Sequence, residues 1–180
     1  MKILVLKSSG HKNGSSNMLA DEFIRGAKES GNKVTEYDVF RADIRPCRGC
    51  DACRKNGGKC AQPDAFETYL KLAIKDCDML VFVMPVYYYG WPAQLKTVVD
   101  RFYSFNEELQ GMRKKTVLIA AAYDETRESF EVVTEYYKVL GKYMNFGDMG
   151  IIEGIGCGTP DMTAKSKYIK DAYELGLGIK

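Results

Sequence analysis

The sequence contains no run of eighteen apolar residues, so no segment reads as a membrane-spanning helix. It has no excess of either charge: 26 Lys+Arg stand against 24 Asp+Glu, too even a balance to attract nucleic acid or another polyanion. At the N-terminus there is no charged leader and no apolar stretch ending in a cleavage site, and the reading is a soluble, cytoplasmic protein. Also missing are G-x-x-x-x-G-K-S/T and G-x-G-x-x-G, which argues against a P-loop NTPase and against a dinucleotide fingerprint. At 180 residues, one domain spanning residues 1–180 is expected, with a single sizeable core.

What is present begins with Lys2-Ile-Leu-Val-Leu-Lys7, an apolar run too short for a helix and suited to a strand buried on both faces. It runs into Ser8-Ser-Gly-His-Lys-Asn-Gly-Ser-Ser-Asn17, and a helix is expected from Met18 to Glu29, with Leu19, Phe23, Ile24 and Ala27 on one face. A strand that hands over to a helix through a Ser/Gly/Asn loop leaves unpaired N–H groups at the positive end of the helix dipole, a site for an anion. The alternative is an ordinary helix start capped by Ser15 or Ser16.

Further strands are expected at Lys33–Val39 (an alternating edge strand), Asp78–Met84, Thr116–Ala122 and Gly150–Ile155. Helices are expected from a cap at Asp64 to Lys75, and over Ala93–Tyr103, Ser129–Lys142 and Thr163–Gly176. Residues 41–63 carry four cysteines and almost no periodicity, and read as a long excursion from the sheet. Five strands alternating with five helices predict an α/β fold: a parallel sheet in the order 2-1-3-4-5 with helices on both faces. In such a sheet the ligand crevice lies at the carboxyl ends of strands one and three, where the winding direction switches. The Ser-rich loop and Pro85-Val-Tyr-Tyr-Tyr-Gly-Trp91 leave those two strands. An anion nest facing a loop of aromatics suits a mononucleotide with a flat head, and a flavin fits that description.

At these residues the sequence resembles the flavodoxin-like NAD(P)H-dependent oxidoreductases of the NADPH-dependent FMN reductase and iron-sulfur flavoprotein group. Ser9-Gly-His-Lys-Asn-Gly-Ser-Ser-Asn17 is similar to that group's phosphate loop, with Gly10 and His11 in place of its usual proline and arginine. Pro85-Val-Tyr-Tyr-Tyr-Gly-Trp-Pro-Ala-Gln-Leu-Lys-Thr-Val-Val-Asp-Arg101 is similar to its flavin loop and following helix. The resemblance implies a flavodoxin-like fold, FMN as cofactor and NAD(P)H as co-substrate. It implies phosphate contacts from Ser9, His11, Ser15, Ser16 and Asn17, and ring and ribityl contacts from Pro85, Val86, Tyr87, Tyr88, Tyr89 and Gly90. Topology adds Ala121, Ala122 and Tyr123 at the other edge of the ring. Lys96, Asp100 and Arg101 are expected to fix the helix or a subunit contact.

Members of the group are commonly dimers, so a homodimer or dimer of dimers is expected, with the Tyr-rich loop and Phe102-Tyr-Ser-Phe105 near its interface. The expected activity passes electrons from NAD(P)H through FMN to a small acceptor (a quinone, a flavin, a nitro or azo compound) or to an internal cluster. No catalytic side chain is named, because the flavin accepts the hydride itself. An electron carrier without its own substrate is the alternative, although carriers of the flavodoxin type tend to be acidic and this chain is near neutral. Cys47, Cys50, Cys53 and Cys60 have a spacing that suits a [4Fe-4S] cluster, and the motif resembles that of the iron-sulfur flavoproteins. Zinc and free thiols remain alternatives. Cys77 and Cys157 read as small buried hydrophobes.

Overall fold

The computed structural model describes residues 1–180. Its sheet has five parallel strands in the order β2-β1-β3-β4-β5: β1 Lys2–Lys7, β2 Lys33–Asp38, β3 Met79–Pro85, β4 Lys115–Ala121 and β5 Gly147–Gly154. The architecture and strand order are those predicted. Strand alternation builds two cores. Leu4, Leu6, Leu80, Phe82, Met84 and Leu118 point to one face, and Ile3, Val5, Met79, Val81, Val83 and Val117 to the other.

The first face is covered by helices α3 (Lys71–Asp76), α4 (Ala93–Arg101) and α6 (Glu128–Met144), through Ile74, Leu95, Val98, Val133 and Tyr137. The second is covered by α1 (Ser15–Glu29) and α8 (Tyr168–Leu177). In α1 the residues Leu19, Phe23 and Ile24 are buried, each worth about 1.5–3 kcal/mol of transfer free energy, which outweighs the modest helix propensity of its Ser/Asn start. Helices α1 and α8 meet at backbone contact: a Cβ on Gly176 would strike the Phe23 carbonyl oxygen, and one on Gly26 would strike that of Tyr173. Only glycine permits that approach.

Several boundaries differ from expectation. Helix α1 begins at Ser15 and not Met18, because the Gly14 carbonyl already accepts the Met18 N–H at 3.0 Å. The excursion contains a short helix, α2 (Ala52–Lys55), and a further helix, α5 (Asn106–Gly111), follows a tight turn at Phe102–Phe105. The expected helix from Asp64 is a π turn at Phe66–Leu70 continuing into α3; Asp64 Oδ1 accepts the Glu67 N–H at 3.4 Å as a long cap bond, while the same carboxylate is paired with Arg101, Oδ2 at 2.6 Å and Oδ1 at 3.1 Å. The closing helix is two pieces, α7 (Pro160–Ala164) and α8, with Thr159 accepting from the Met162 N–H as the cap of the first. No helix is long and apolar enough to cross a membrane.

Candidate functional site

At the carboxyl edge of the sheet, the segments following β1, β3, β4 and β5 enclose a crevice of about 690 Å³, within the range of small-molecule sites. One wall is the β1–α1 loop and first turn: Ser9, His11, Lys12, Asn13, Gly14, Ser15 and Ser16. Gly14 occupies the cap position and has no side chain to accept a hydrogen bond, and the first turn of α1 holds no acidic residue. The helix dipole and the first-turn N–H groups therefore remain uncompensated by the chain itself. Ser15 Oγ, Ser16 Oγ and Asn17 Oδ1 are buried polar atoms without a hydrogen-bond partner. Such a cluster is costly unless an acceptor or donor enters the crevice, since each unpaired buried group costs about 1–3 kcal/mol. Of this set the two serine hydroxyls, with the first-turn N–H groups, fit a phosphate; Asn17 Oδ1 is an acceptor and does not.

Asn17 acts from behind the wall. Its Nδ2 donates to the carbonyls of His11 at 3.0 Å and Lys12 at 3.2 Å, bracing the loop curve, and its side chain does not line the crevice. Ser8 is likewise turned away, donating from Oγ to the Val83 carbonyl at 2.7 Å.

The opposite wall is flat and largely apolar: Pro85, Val86 and Tyr87 after β3, then Ala121, Ala122 and Tyr123 after β4. The Val86 N–H donates to the Ala121 carbonyl at 2.9 Å and so joins the two segments. Tyr87 and Tyr123 stand 48% and 73% exposed at the mouth. A final stretch, Cys157-Gly158-Thr159-Pro160, closes the side. Sequence reading had assigned Cys157 a packing role only; it is buried but also lines the crevice. The rule that ligands sit at the carboxyl ends of strands could have included β5, yet no motif marked it.

The structure thus brings Ser9, His11, Ser15, Ser16, Pro85, Val86, Tyr87 and Tyr123 to one crevice, and leaves Asn17, Tyr88, Tyr89 and Gly90 off its wall. The reason for the last three is a tight hairpin. Tyr87 and Gly90 exchange both N–H···O bonds, which places Tyr88 at φ +47° and Tyr89 at φ +62°. Two consecutive left-handed residues match a type I′ turn, which favours Asn-Gly and penalises side chains as large as tyrosine. Tyr88 is fully solvent-exposed as a result. Trp91 is not a wall residue either: it lies against Phe82 (centroids 5.2 Å) and Tyr136 (4.9 Å) and donates from Nε1 to the Val133 carbonyl at 3.1 Å.

Cys47, Cys50, Cys53 and Cys60 line one small cavity together with Arg101, Tyr103 and Ser104. Cys47 and Cys50 are exposed, Cys53 is buried and Cys60 lies between. No three of the chain's His, Cys, Asp or Glu side chains are gathered as a metal ion would require. Arg101 is buried with a side-chain exposure of 1%. Burial works against its charge, but the hydrogen bond and charge of Asp64 outweigh that and hold it above its ordinary value, with Cys60 acting in the same direction. Asp64 in turn is penalised by burial and yet held below the usual carboxylate range by Arg101 and the Arg45 N–H. The Arg101 Nε has no partner. An all-thiol donor set beside an unpaired buried cationic N–H fits an anionic, sulfur-ligated group.

Comparison with known proteins agrees with this geometry. The family model for NADPH-dependent FMN reductase matches residues 1–153. An iron-sulfur flavoprotein of Archaeoglobus fulgidus is 27% identical over 143 residues, covering 78% of this chain and 64% of that protein. The chain spans about half to two thirds of the length of the first curated relatives it matches. Among solved structures, an NAD(P)H:quinone oxidoreductase from Methanothermobacter marburgensis superposes with a TM-score of 0.70 at 18% identity, covering 98% of this chain and 94% of that one. An FMN-dependent NADH-azoreductase from Bacillus anthracis in complex with FMN gives 0.68 at 13%, covering 98% of each. At such identities the likeness concerns the fold.

Proposed function

The chain belongs to the NADPH-dependent FMN reductase family, and from that premise we propose that it is an FMN-dependent oxidoreductase that takes hydride from NAD(P)H and passes electrons to a small acceptor. One observation carries the reading: unpartnered Ser15 Oγ and Ser16 Oγ, set at an uncapped helix start, face an apolar wall of Pro85, Val86, Ala121 and Ala122 across a crevice of about 690 Å³.

FMN, when bound, supplies hydride acceptance and one-electron release. The chain's part is to hold and shield it. Ser9, Ser15, Ser16 and the first-turn N–H groups would hold the phosphate, and His11 at the rim would add a further donor. Pro85 to Tyr87 and Ala121 to Tyr123 would flank the ring and exclude water from its sides; the Val86, Tyr87 and Ala122 N–H groups are already committed to the Ala121, Gly90 and Gly154 carbonyls. Tyr88 and Tyr89 stand exposed, off the crevice wall. The acceptor belongs to the class of quinones, free flavins, nitro or azo compounds, or is a cluster in the same chain.

That cluster, an iron-sulfur centre on Cys47, Cys50, Cys53 and Cys60, is part of the proposal; the all-thiol lining and the unpaired Arg101 Nε support it. The working unit is a homodimer or a dimer of dimers. Support comes from the exposed Tyr88 and Tyr89 and from Val132, Val139 and Tyr143, exposed at helical spacing along α6. Phe102 and Phe105, expected near that interface, are buried in the chain's own core, and of that stretch Tyr103 alone points outward among the aromatics.

Titrating the protein with FMN, then mixing it anaerobically with NADPH or NADH in a stopped-flow instrument, tests the reading. Saturable binding and bleaching of the flavin bands are expected; no binding overturns it. A second reading, an electron carrier without a substrate of its own, is favoured by the two exposed thiols at the cysteine cavity. Binding of FMN without reduction by either nucleotide would select it.

A further inference from the structure

Arg101 joins the two halves of the molecule's chemistry. It ends α4, the helix that follows the tyrosine hairpin, and its guanidinium reaches into the cysteine excursion. Nη1 donates to Asp64 Oδ2 at 2.6 Å and to the Arg45 carbonyl at 2.8 Å, and Nη2 donates to Asp64 Oδ1 at 3.1 Å. Asp64 Oδ2 also accepts the Arg45 N–H at 2.9 Å, and Gln62 Nε2 donates to the Pro46 carbonyl at 3.0 Å. These bonds fix both stems of the cysteine loop around one planar cation. Three of the guanidinium's five N–H groups are so engaged; of the two left, Nε–H is buried and its nitrogen has no acceptor at all. Arg101 and all four cysteines, Cys60 among them, line one cavity.

The Asp64 pair uses only the fork and the guanidinium lies over the Phe66 ring, 4.8 Å from its centroid, so neither contact engages the buried Nε–H. It gains a partner when the sulfur carries negative charge. We propose that Arg101 is the positioning and tuning residue of the cysteine site, donating its Nε–H to the sulfur of Cys60 when that cysteine ligates the iron-sulfur cluster, and so favouring the cluster's reduced form. This rests on the cluster reading given above. Reduction adds one electron and one negative charge to the cluster, and a fixed cation with a hydrogen bond to a ligand sulfur stabilises the more negative state. The same residue is the last of α4, the helix that follows the flavin-side loop.

The test uses anaerobically purified protein loaded with FMN, iron and sulfide, and follows the cluster's midpoint potential by EPR-monitored redox titration. Two variants are compared with the wild type. Arg101→Lys keeps the charge beside Asp64 and loses the planar fork; the pair Arg101→Gln with Asp64→Asn removes both charges together, which buried pairs tolerate better than losing one partner. FMN content and the far-UV spectrum report folding. Both variants are expected to lower the potential so that the reduced-to-oxidised ratio at a fixed potential falls about tenfold, about 59 mV for one electron. A change under about twofold in folded, FMN-loaded variants overturns the assignment while leaving the cluster in place. In the wild type, a heavy-nitrogen label at arginine Nε should give a hyperfine coupling to the reduced cluster in pulsed EPR, and its absence overturns the assignment without recourse to a variant. A wild type that takes up no iron and sulfide removes the cluster reading, and this inference with it.

Discussion

Replacing Ser16 by alanine should move two quantities in opposite directions. In the crevice wall the Ser16 side chain is 2% exposed and its hydroxyl has no partner. A buried hydroxyl in that condition costs about 1–3 kcal/mol, so removing it should relieve the flavin-free protein. Alanine is also favoured over serine in a helix by about 0.5 kcal/mol. Against this stand the few contacts the oxygen makes, and the flavin-free variant is expected to be unchanged or up to about 1 kcal/mol more stable, a rise in Tm of about 2–4 °C. With FMN present the hydroxyl has an acceptor. Its bond to a charged phosphate oxygen is worth about 1.5–3 kcal/mol, so the dissociation constant for FMN should rise about 10- to 150-fold. The assays are thermal melts of the stripped protein and quenching of FMN fluorescence on titration. A variant that melts earlier by more than about 1 kcal/mol and binds FMN as tightly as the wild type would mark Ser16 as a structural hydroxyl. The phosphate reading of the loop would then fail.

Other expectations follow from the same structure. Gly176→Ala should destabilise the protein by about 1–3 kcal/mol in urea denaturation despite alanine's helix preference, because the methyl group meets the Phe23 carbonyl of α1; an unchanged midpoint would mean the two helices separate freely. Tyr88→Asn with Tyr89→Gly suits the left-handed hairpin and should stabilise the isolated chain by about 1–2 kcal/mol, while a size-exclusion experiment shows whether the dimer weakens; a loss of stability would contradict the strain argument. Asp64, with its carboxyl held below the usual range by Arg101 after burial is overcome, contributes stability present above its unfolded-state pKa and lost as pH falls through the lower folded one. Denaturation between neutral pH and the acid limit should therefore show a smaller acid loss in the Arg101→Gln, Asp64→Asn pair than in the wild type.

The sheet was legible because parallel strands buried on both faces read as short apolar runs, and the glycines, serines and prolines around them mark where each stops. The crevice followed from topology, since the loops after β1 and β3 flank the point where winding reverses. What escaped notice depends on contacts distant in sequence. Asp64 reads as a cap and its Oδ1 does accept the Glu67 N–H, but its stronger pairing with Arg101, 37 residues away, cannot be seen in local pattern. Trp91 sits among aromatics in sequence but turns inward because Phe82 and Tyr136 offer it a packed slot and the Val133 carbonyl takes its N–H. The start of α1 was placed three residues late because serine and asparagine are weak helix formers, while Gly14 was free to take the cap position without a side chain. Cys157 gave no signal, its loop having neither motif nor composition to set it apart.

The bare backbone contact between Gly26 and Gly176 makes the last helix a splint for the first. The matched family pattern stops at residue 153, and every residue of that splint lies beyond it. The helix that opens the anion cradle thus leans on a portion of the chain that does not itself line the crevice.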